Sequence, residues 1–446
     1  MSLARGYLNL VHAGAAVGAL LFVAGGCSGA SGDTDGFSDE EWKLINESAP
    51  LATPMPGNPY NNQHADTLVA KLGQMFFFDK ASAEALPADG PIGKKGEVGK
   101  HNCATCHDPG KSFVELRPGP LSFGRAGTAS KRNTPTLVNL GYYEWAGWAG
   151  RFDSLVMHGS AAAESRGSRL GFIHYVYKTY RDEYNAAFPA TPLDPALDAA
   201  APDAARFPLT GKPKANAMAV DGPWEGMTAA DQEIVLLFMA NVGRTYDAYP
   251  RKLVTHGSPF ERYVGGDRAA LSPSAKKGLG LFIGKAACNE CHVGPILSDN
   301  KFHNVGAAAP SGETVPDLGR FGDMPGTLAS QFNGAGRFSD NPEEGKRKLA
   351  TMDLTDEPMR GAFRTPQLLN IADTAPYFHT GLVRTLDEVV RHYNKGGGET
   401  GTFPGLKDPK LKPLYLTETE ITDLVTFLNA LTGTVDPEWT QNTAKP

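Results

Sequence analysis

The 446 residues suffice for two or three domains, and 41% hydrophobic with 21% charged residues is a globular composition, neither disordered nor built of membrane spans. A formal net charge of −6, with no block of Lys or Arg, excludes the basic footprint that a nucleic-acid partner needs. The mild acidity suits docking of a small basic redox protein.

The amino terminus reads as an export signal. Arg5 gives a positive start, and residues 13–24 form an apolar run too short to span a bilayer. Val23-Ala24-Gly25-Gly26-Cys27 then resembles the lipobox at which bacterial lipoproteins are cleaved and acylated. The competing reading is an ordinary cleaved signal with Cys27 incidental. Residues 1–27 are thus expected to be a lipoprotein-type signal peptide, and residues 28–60 a tether with an N-terminal segment. Export places the protein in the periplasm. A lipid on Cys27 would tie it to the outer membrane, its one expected contact with a membrane.

An amphipathic helix is expected at Leu72-Gly73-Gln74-Met75-Phe76-Phe77-Phe78, leading the chain to Cys103-Ala104-Thr105-Cys106-His107. In C-x-x-C-H, two thiols one helical turn apart add to the two vinyl groups of a haem, and the adjacent His lies beneath the iron. The arrangement returns as Gly278-Leu279-Gly280-Leu281-Phe282-Ile283 before Cys288-Asn289-Glu290-Cys291-His292. Paired zinc knuckles lie roughly 15–20 residues apart, not in opposite halves of a chain, and a redox disulfide needs no following His. Every cysteine other than Cys27 falls in the signature. Two covalent c-type haems are therefore expected, with His107 and His292 as proximal ligands.

The duplication extends beyond the haem motifs. Thr134-Pro135-Thr136-Leu137-Val138-Asn139 matches Thr365-Pro366-Gln367-Leu368-Leu369-Asn370, and nine residues past each Asn come Trp148-Ala149-Gly150 and His379-Thr380-Gly381. Each half closes with a capped helix, 228–242 opening on Thr228 with Asp231 and 417–431 on Thr417 with Glu420. Strand signals are sparse, whereas Pro and Gly abound. The predicted fold is mainly α, with two tandem cytochrome c-type haem domains and long ordered loops. The first covers residues 61–252 and the second 253–446, meeting where 249–259 runs into Pro, Gly and Ser. Residues 189–223 and 306–361 read as loops.

With two C-x-x-C-H motifs, T-P-x-L-x-N twice, and Thr374-Ala375-Pro376-Tyr377-Phe378-His379, residues 64–433 resemble the bacterial di-haem cytochrome c peroxidase and MauG family. The resemblance implies that hydrogen peroxide reacts at the first haem while the second handles electrons. Trp148 falls at the position of an electron relay between the haems, with Ala149 where the family carries Asp. Glu164 matches a Glu of the peroxide pocket. Asn133 and the backbone carbonyls of Thr374 and Pro376 match a calcium site between domains. Tyr393 takes the place of the Met that ligates the second haem in ordinary peroxidases, as in MauG. Residues 108–132 contain no His or Met to cap the first haem, and the distal Gln position holds His158, itself able to ligate iron.

These residues suit the chemistry. Splitting peroxide needs an open iron position and a group that carries a proton from one oxygen to the other, a role typically worth 10²–10⁴-fold and open to Glu164. The competing reading of Glu164 is a solvated helix residue. A Tyr393 phenolate would be a hard donor favouring oxidised iron, whereas Met favours the reduced state; the alternative is an aromatic packed on a haem edge. His303 and His379 are expected against haem propionates or backbone. Three functions follow from the resemblance and these residues: a MauG-type enzyme oxidising a residue of a partner protein, a peroxidase drawing electrons from a small redox protein, or an electron carrier with both irons six-coordinate.

Overall fold

The structure is a computed structural model that describes residues 35–49, 53–117, 119–310, 315–399 and 401–445. Cys27 and the expected signal lie outside the described residues. Among those residues, no helix is long and apolar enough to cross a membrane.

The fold is mainly α, as expected. In chain order the helices are α1 (Asp39–Glu47), α2 (Thr67–Phe78), α3 (Leu155–Glu164), α4 (Arg169–Ala187), α5 (Ala229–Ala248), α6 (Pro259–Val264), α7 (Pro273–Ile283), α8 (Gly319–Ala329), α9 (Pro342–Leu349), α10 (Leu386–Asn394) and α11 (Glu418–Asn429). Two antiparallel pairs of two-residue strands complete it: β1 (Thr255–His256) with β4 (Thr434–Val435), and β2 (Phe302–His303) with β3 (Phe363–Arg364).

The duplication read from the motifs is a duplication of architecture. In the first half α2 crosses α5; in the second α7 crosses α11. A glycine sits at each crossing because nothing larger fits. A Cβ on Gly73 would overlap the Thr245 carbonyl oxygen, and one on Gly278 the Asp423 carbonyl oxygen. The backbones touch there, where a side chain would hold the helices apart. Helix α11 starts with the full capping box expected, Thr417 with Glu420. Thr228 caps α5, which runs six residues beyond the predicted end. That extension carries Gly243, set against the Val156 carbonyl of α3, and Asp247, whose carboxylate binds Asn58 and Asn61 at 2.8 Å.

Two apolar cores result, but their membership is not sequential. The first is built on α2, α4 and α5 and takes in Phe332, Phe338 and Trp439 from the far half of the chain. The second is built on α7, α10 and α11 and takes in Phe37 and Ile45 from the N-terminal segment. The carboxyl end thus returns to the first half. After β4 pairs with β1, Gln74 binds the carbonyls of Glu438 and Gln441 (2.8 and 3.1 Å), and the Tyr249 hydroxyl donates to the Trp439 carbonyl at 2.8 Å. Residues 306–361 are not one loop: they hold α8 and α9. Asn341 caps α9, with Pro342 in its first turn, Glu343 and Glu344 beside it and three basic residues in its last turn.

The halves are tied by their repeated asparagines. Asn139 and Asn370 both take left-handed backbone (φ 57° and 59°), and both reach Thr255. Its N–H donates to Asn139 Oδ1 at 3.0 Å and its hydroxyl to Asn370 Oδ1 at 2.8 Å. Gln367 adds a bond from Asn139 Nδ2 at 2.9 Å and one to the Val138 carbonyl at 2.5 Å. All of these groups are buried, so each bond is held in a low-dielectric setting.

Candidate active site

The two C-x-x-C-H motifs fold alike. Each begins as a short 3-10 turn, Cys103–Thr105 and Cys288–Glu290, and leaves both thiols free. Each His then turns its Nδ1 onto a backbone carbonyl: His107 on Phe113 at 3.0 Å, His292 on Leu297 at 2.9 Å. A carbonyl only accepts, so Nδ1 carries the proton and Nε2 is left as a bare lone pair for a metal. Both acceptor residues sit in left-handed backbone, which aims the carbonyl back at the ring. Burial keeps both imidazoles neutral by lowering their pKa, the form a metal requires.

The residues around the second motif form a haem-shaped site. A cavity is lined by Cys288, Cys291 and His292 together with Tyr393, Phe378, Val389 and Val390. Arg364 lines it with Nη1 buried and unpartnered, the cation that a propionate carboxylate would satisfy. Arg117 repeats this in the first half: it binds Glu115, contacts Cys106 Sγ at 3.4 Å and has Nη1 buried without a partner. Covalent haem fits both places.

Tyr393 enters the second cavity from α10. Its phenol has no hydrogen-bond partner among the described residues, and burial raises its pKa above that of free tyrosine. The half-buried ring faces this cavity, so its hydroxyl is available to a group the protein itself does not supply. His303 is held differently from the expectation. Its two nitrogens lie 2.6 Å from Asp408 and 2.9 Å from Asp299, and the Asp299 bond raises it to about 10, so it is an imidazolium between two carboxylates. His379 stacks on Phe363 with centroids 3.5 Å apart.

In the first half, α3 carries both His158 and Glu164. His158 stacks on Phe152 at 4.6 Å, and its pKa is pushed down to about 4, chiefly by burial. Glu164 lies at the end of the helix with Oε1 bound to Arg169 Nε at 2.6 Å and Nη2 at 2.5 Å. Six residues at about 100° each separate the two, so they point about 120° apart around the helix. The helix therefore does not put Glu164 on the face of His158. Neutralising it tests the proton role directly: Glu164→Gln is expected to slow the reaction with peroxide by at least about tenfold. An unchanged stopped-flow rate would move that role to His158.

His101, also next to the first motif, is buried with Nδ1 unpartnered. Burial and the charges of Arg166, Arg125 and Arg117 lower it to about 4. Between pH 6.5 and 4 the unfolded chain therefore binds a proton there that the folded one refuses. Stability is full above that window and falls by about 3 kcal/mol on crossing it downward. Denaturant unfolding at pH 7 and pH 4 should show a smaller loss in His101→Gln; an equal loss would place the acid sensitivity elsewhere.

Between the two motifs runs the segment 133–136. Asn133, Thr134, Pro135 and Thr136 line the second cavity, while the Pro135 carbonyl faces His107. Trp148 also lines that cavity and donates its indole N–H to the Asn133 carbonyl at 2.7 Å. Of the residues matched to calcium, Asn133 and Pro376 meet directly: Asn133 Nδ2 lies 2.6 Å from the Pro376 carbonyl. The Thr374 hydroxyl donates to Ile371, and the Lys111 ammonium donates to Ala375 at 3.0 Å. As placed, the neutral Asn133 amide satisfies the Pro376 carbonyl, the lysine takes the carbonyl between the two matched ones, and no carboxylate of the kind calcium favours is among the three matched residues. Arg117, Arg364, Asp299 and Asp408 carry no motif in the sequence and could not have been singled out from it.

Residues 68–208 match the family model for di-haem cytochrome c peroxidase. A cytochrome-c peroxidase, IdrP1, of Denitromonas iodatirespirans is 34% identical over 386 residues, 85% of each chain. The methylamine utilization protein MauG of Methylorubrum extorquens is 28% identical over 405 residues, 91% of this chain and 89% of that one. Among solved structures, a MauG-like protein associated with microbial copper homeostasis aligns at TM-score 0.60 and 21% identity, covering 88% of this chain and 98% of that one. The chain belongs to the di-haem cytochrome c peroxidase and MauG family. It is a peroxidase-type oxidoreductase with two c-type haem sites.

Proposed function

We propose that the protein works in the periplasm as a MauG-like peroxidase, taking up hydrogen peroxide at the first haem and drawing electrons through the second. The observation that carries this reading is Tyr393, a half-buried phenol that lines the same cavity as His292 and has no hydrogen-bond partner among the described residues. When bound, the haems supply the iron at which peroxide is split and a place to hold its two oxidising equivalents. His107 and His292, fixed by their carbonyl bonds, would hold them. Tyr393, lining the same cavity as His292, would offer the second haem a hard oxygen donor that favours its oxidised state. Glu164 carries the proton between the peroxide oxygens, with Arg169 fixing its carboxylate and Oε2 left free. Trp148 passes electrons from the second site to the first. The final electron donor in this reading is a residue on the surface of a partner protein.

A second reading, a cytochrome c peroxidase fed by a small redox protein, is favoured by the higher identity to the peroxidase IdrP1 than to MauG. One experiment separates them: the fully oxidised protein is mixed with one equivalent of hydrogen peroxide, and spectra are recorded from the Soret band to the near infrared. Rapid changes in both haems support the MauG-like reading. No reaction until one electron is added would overturn it, favour the peroxidase, and identify His158 as a ligand of the first haem.

A further inference from the structure

An enzyme that holds strongly oxidising equivalents inside a protein must keep them from its own side chains. Indole and phenol rings are the most exposed to this loss, and what decides their ease of oxidation is the charge around them, because the product of losing an electron is a cation. The chain has five tryptophans. Four lie under a cation. The Arg268 guanidinium is 4.1 Å from the Trp42 ring, Arg169 is 5.3 Å from Trp224, and Lys71 is 4.7 Å from Trp439. Trp145 has two, Arg320 at 3.9 Å and Lys348 at 4.5 Å. Trp148 has no such cation among the described residues, and its N–H points at a carbonyl dipole, which favours positive charge on the ring.

The contrast is sharpest within one short segment. Tyr143, Trp145 and Trp148 lie within six residues of each other; Tyr143 carries Arg364 at 3.2 Å and Trp145 carries two cations, while Trp148 carries none. The cations on Trp145 are fixed by backbone carbonyls and not by carboxylates. Arg320 donates to Gly150 at 2.5 Å, and Lys348 to Asp153 at 2.6 Å and to Glu144. Neither forms a salt bridge among the described residues; the Asp323 and Asp153 carboxylates act on Arg320, and those of Asp153, Glu144 and Glu344 on Lys348, only from further off.

We propose that Arg320 and Lys348 shield Trp145 from one-electron oxidation and thereby confine electron transfer between the haem sites to Trp148. The proposal rests on the peroxidase reading above. The reaction it prevents is balanced as follows. Peroxide takes two electrons and two protons to give two waters. Trp145 would supply the two electrons and two protons while gaining an oxygen atom from water, so the sum is one peroxide spent, one hydroxylated indole and one water formed. At Trp148 the N–H proton stays in its bond to Asn133, so a returning electron restores the ring unchanged.

The test uses the protein with both haems attached, peroxide without an external donor, and peptide mass spectrometry to count oxygen added at each tryptophan. Haem spectra are recorded in the same mixtures. Lys348→Met removes the charge and keeps the length; Lys348→Arg restores the charge, and Arg320→Met provides a second loss. Oxygen addition at Trp145 is expected to rise by at least about tenfold in both Met variants and to stay near the wild-type level in Lys348→Arg. Hydroxyl-radical footprinting reports whether Trp145 has merely become accessible to water. Equal labelling in wild type and variant is expected, and a rise that accounts for the peroxide result would overturn the proposal. So would an unchanged Trp145 in both Met variants while the haem spectra still respond to peroxide. If no variant and no wild type responds spectrally, it is the peroxidase reading that has failed.

Discussion

Tyr393→Met is expected to raise the reduction potential of the second haem by a large part of the ~0.8 V range that axial ligands span. Thioether sulfur stabilises reduced iron, whereas an anionic phenolate stabilises oxidised iron. The structure adds a constraint on the phenol itself. Burial raises its pKa, so in the chain alone it holds its proton through the whole physiological range. Only a cation close to the oxygen reverses that preference, as a bound metal does. Tyrosinate bands in the resonance Raman spectrum of the holoprotein should therefore vanish in Tyr393→Phe and Tyr393→Met alike. The potential, read by spectroelectrochemistry, should rise in the Met variant, and the joint response of both haems to peroxide should be lost. A wild-type spectrum in Tyr393→Phe would mean that the ring only packs in the cavity.

The other large effect is expected at the helix crossings. In Gly278→Ala the new methyl would overlap the Asp423 carbonyl oxygen and stand 2.8 Å from Phe427 Cβ. Neither neighbour is the movable end of a flexible side chain, so α7 and α11 must separate. Overpacking of this kind costs on the order of 3 kcal/mol, roughly 10 °C in the melting of that half. Gly73→Ala should do the same to the first half, where the Thr245 carbonyl and Tyr249 Cβ stand in the way. Followed by the two haem environments separately, each variant should loosen its own haem first. Melting curves unchanged from wild type would mean that the helices yield at the crossing.

What the sequence revealed follows from what is local in it. The haem motifs, the caps at Thr228 and Thr417 and the repeated T-P-x-L-x-N segments are runs of adjacent residues whose chemistry is complete in itself. Asn139 and Asn370 were visible as a repeat, but their meeting at Thr255 was not, since nothing in either segment names the third partner. Helices α8 and α9 were hidden in a stretch rich in Gly and charge. For α9 the cap and charge pattern were present at 341–348, but only Gly345 and Leu349 of that helix are buried, so it has almost no apolar stripe to detect. Glu164 illustrates a different limit. A residue's place in a motif says nothing of the direction it faces on a helix, and that direction separates it from His158. The cations over Trp145 come from α8 and α9, far along the chain, and no spacing rule connects them to it.

The return of the carboxyl end to the first half has a consequence for how the molecule is made. Trp439 is part of the first core, and Gln74 and Tyr249 have their partners in residues 438–441. A chain emerging from its amino terminus delivers α2, α4 and α5 early, yet leaves a gap among them that is filled only by residues near the carboxyl end. The first half must therefore wait, open at that seam, until residues 438–441 have been delivered. Asn102, next to Cys103, is tied to the Phe78 carbonyl at the end of α2 (2.6 Å), so the interval before closure is also the interval in which a haem can reach the thiols. Residues 438–441 act as the closing stitch of the first half.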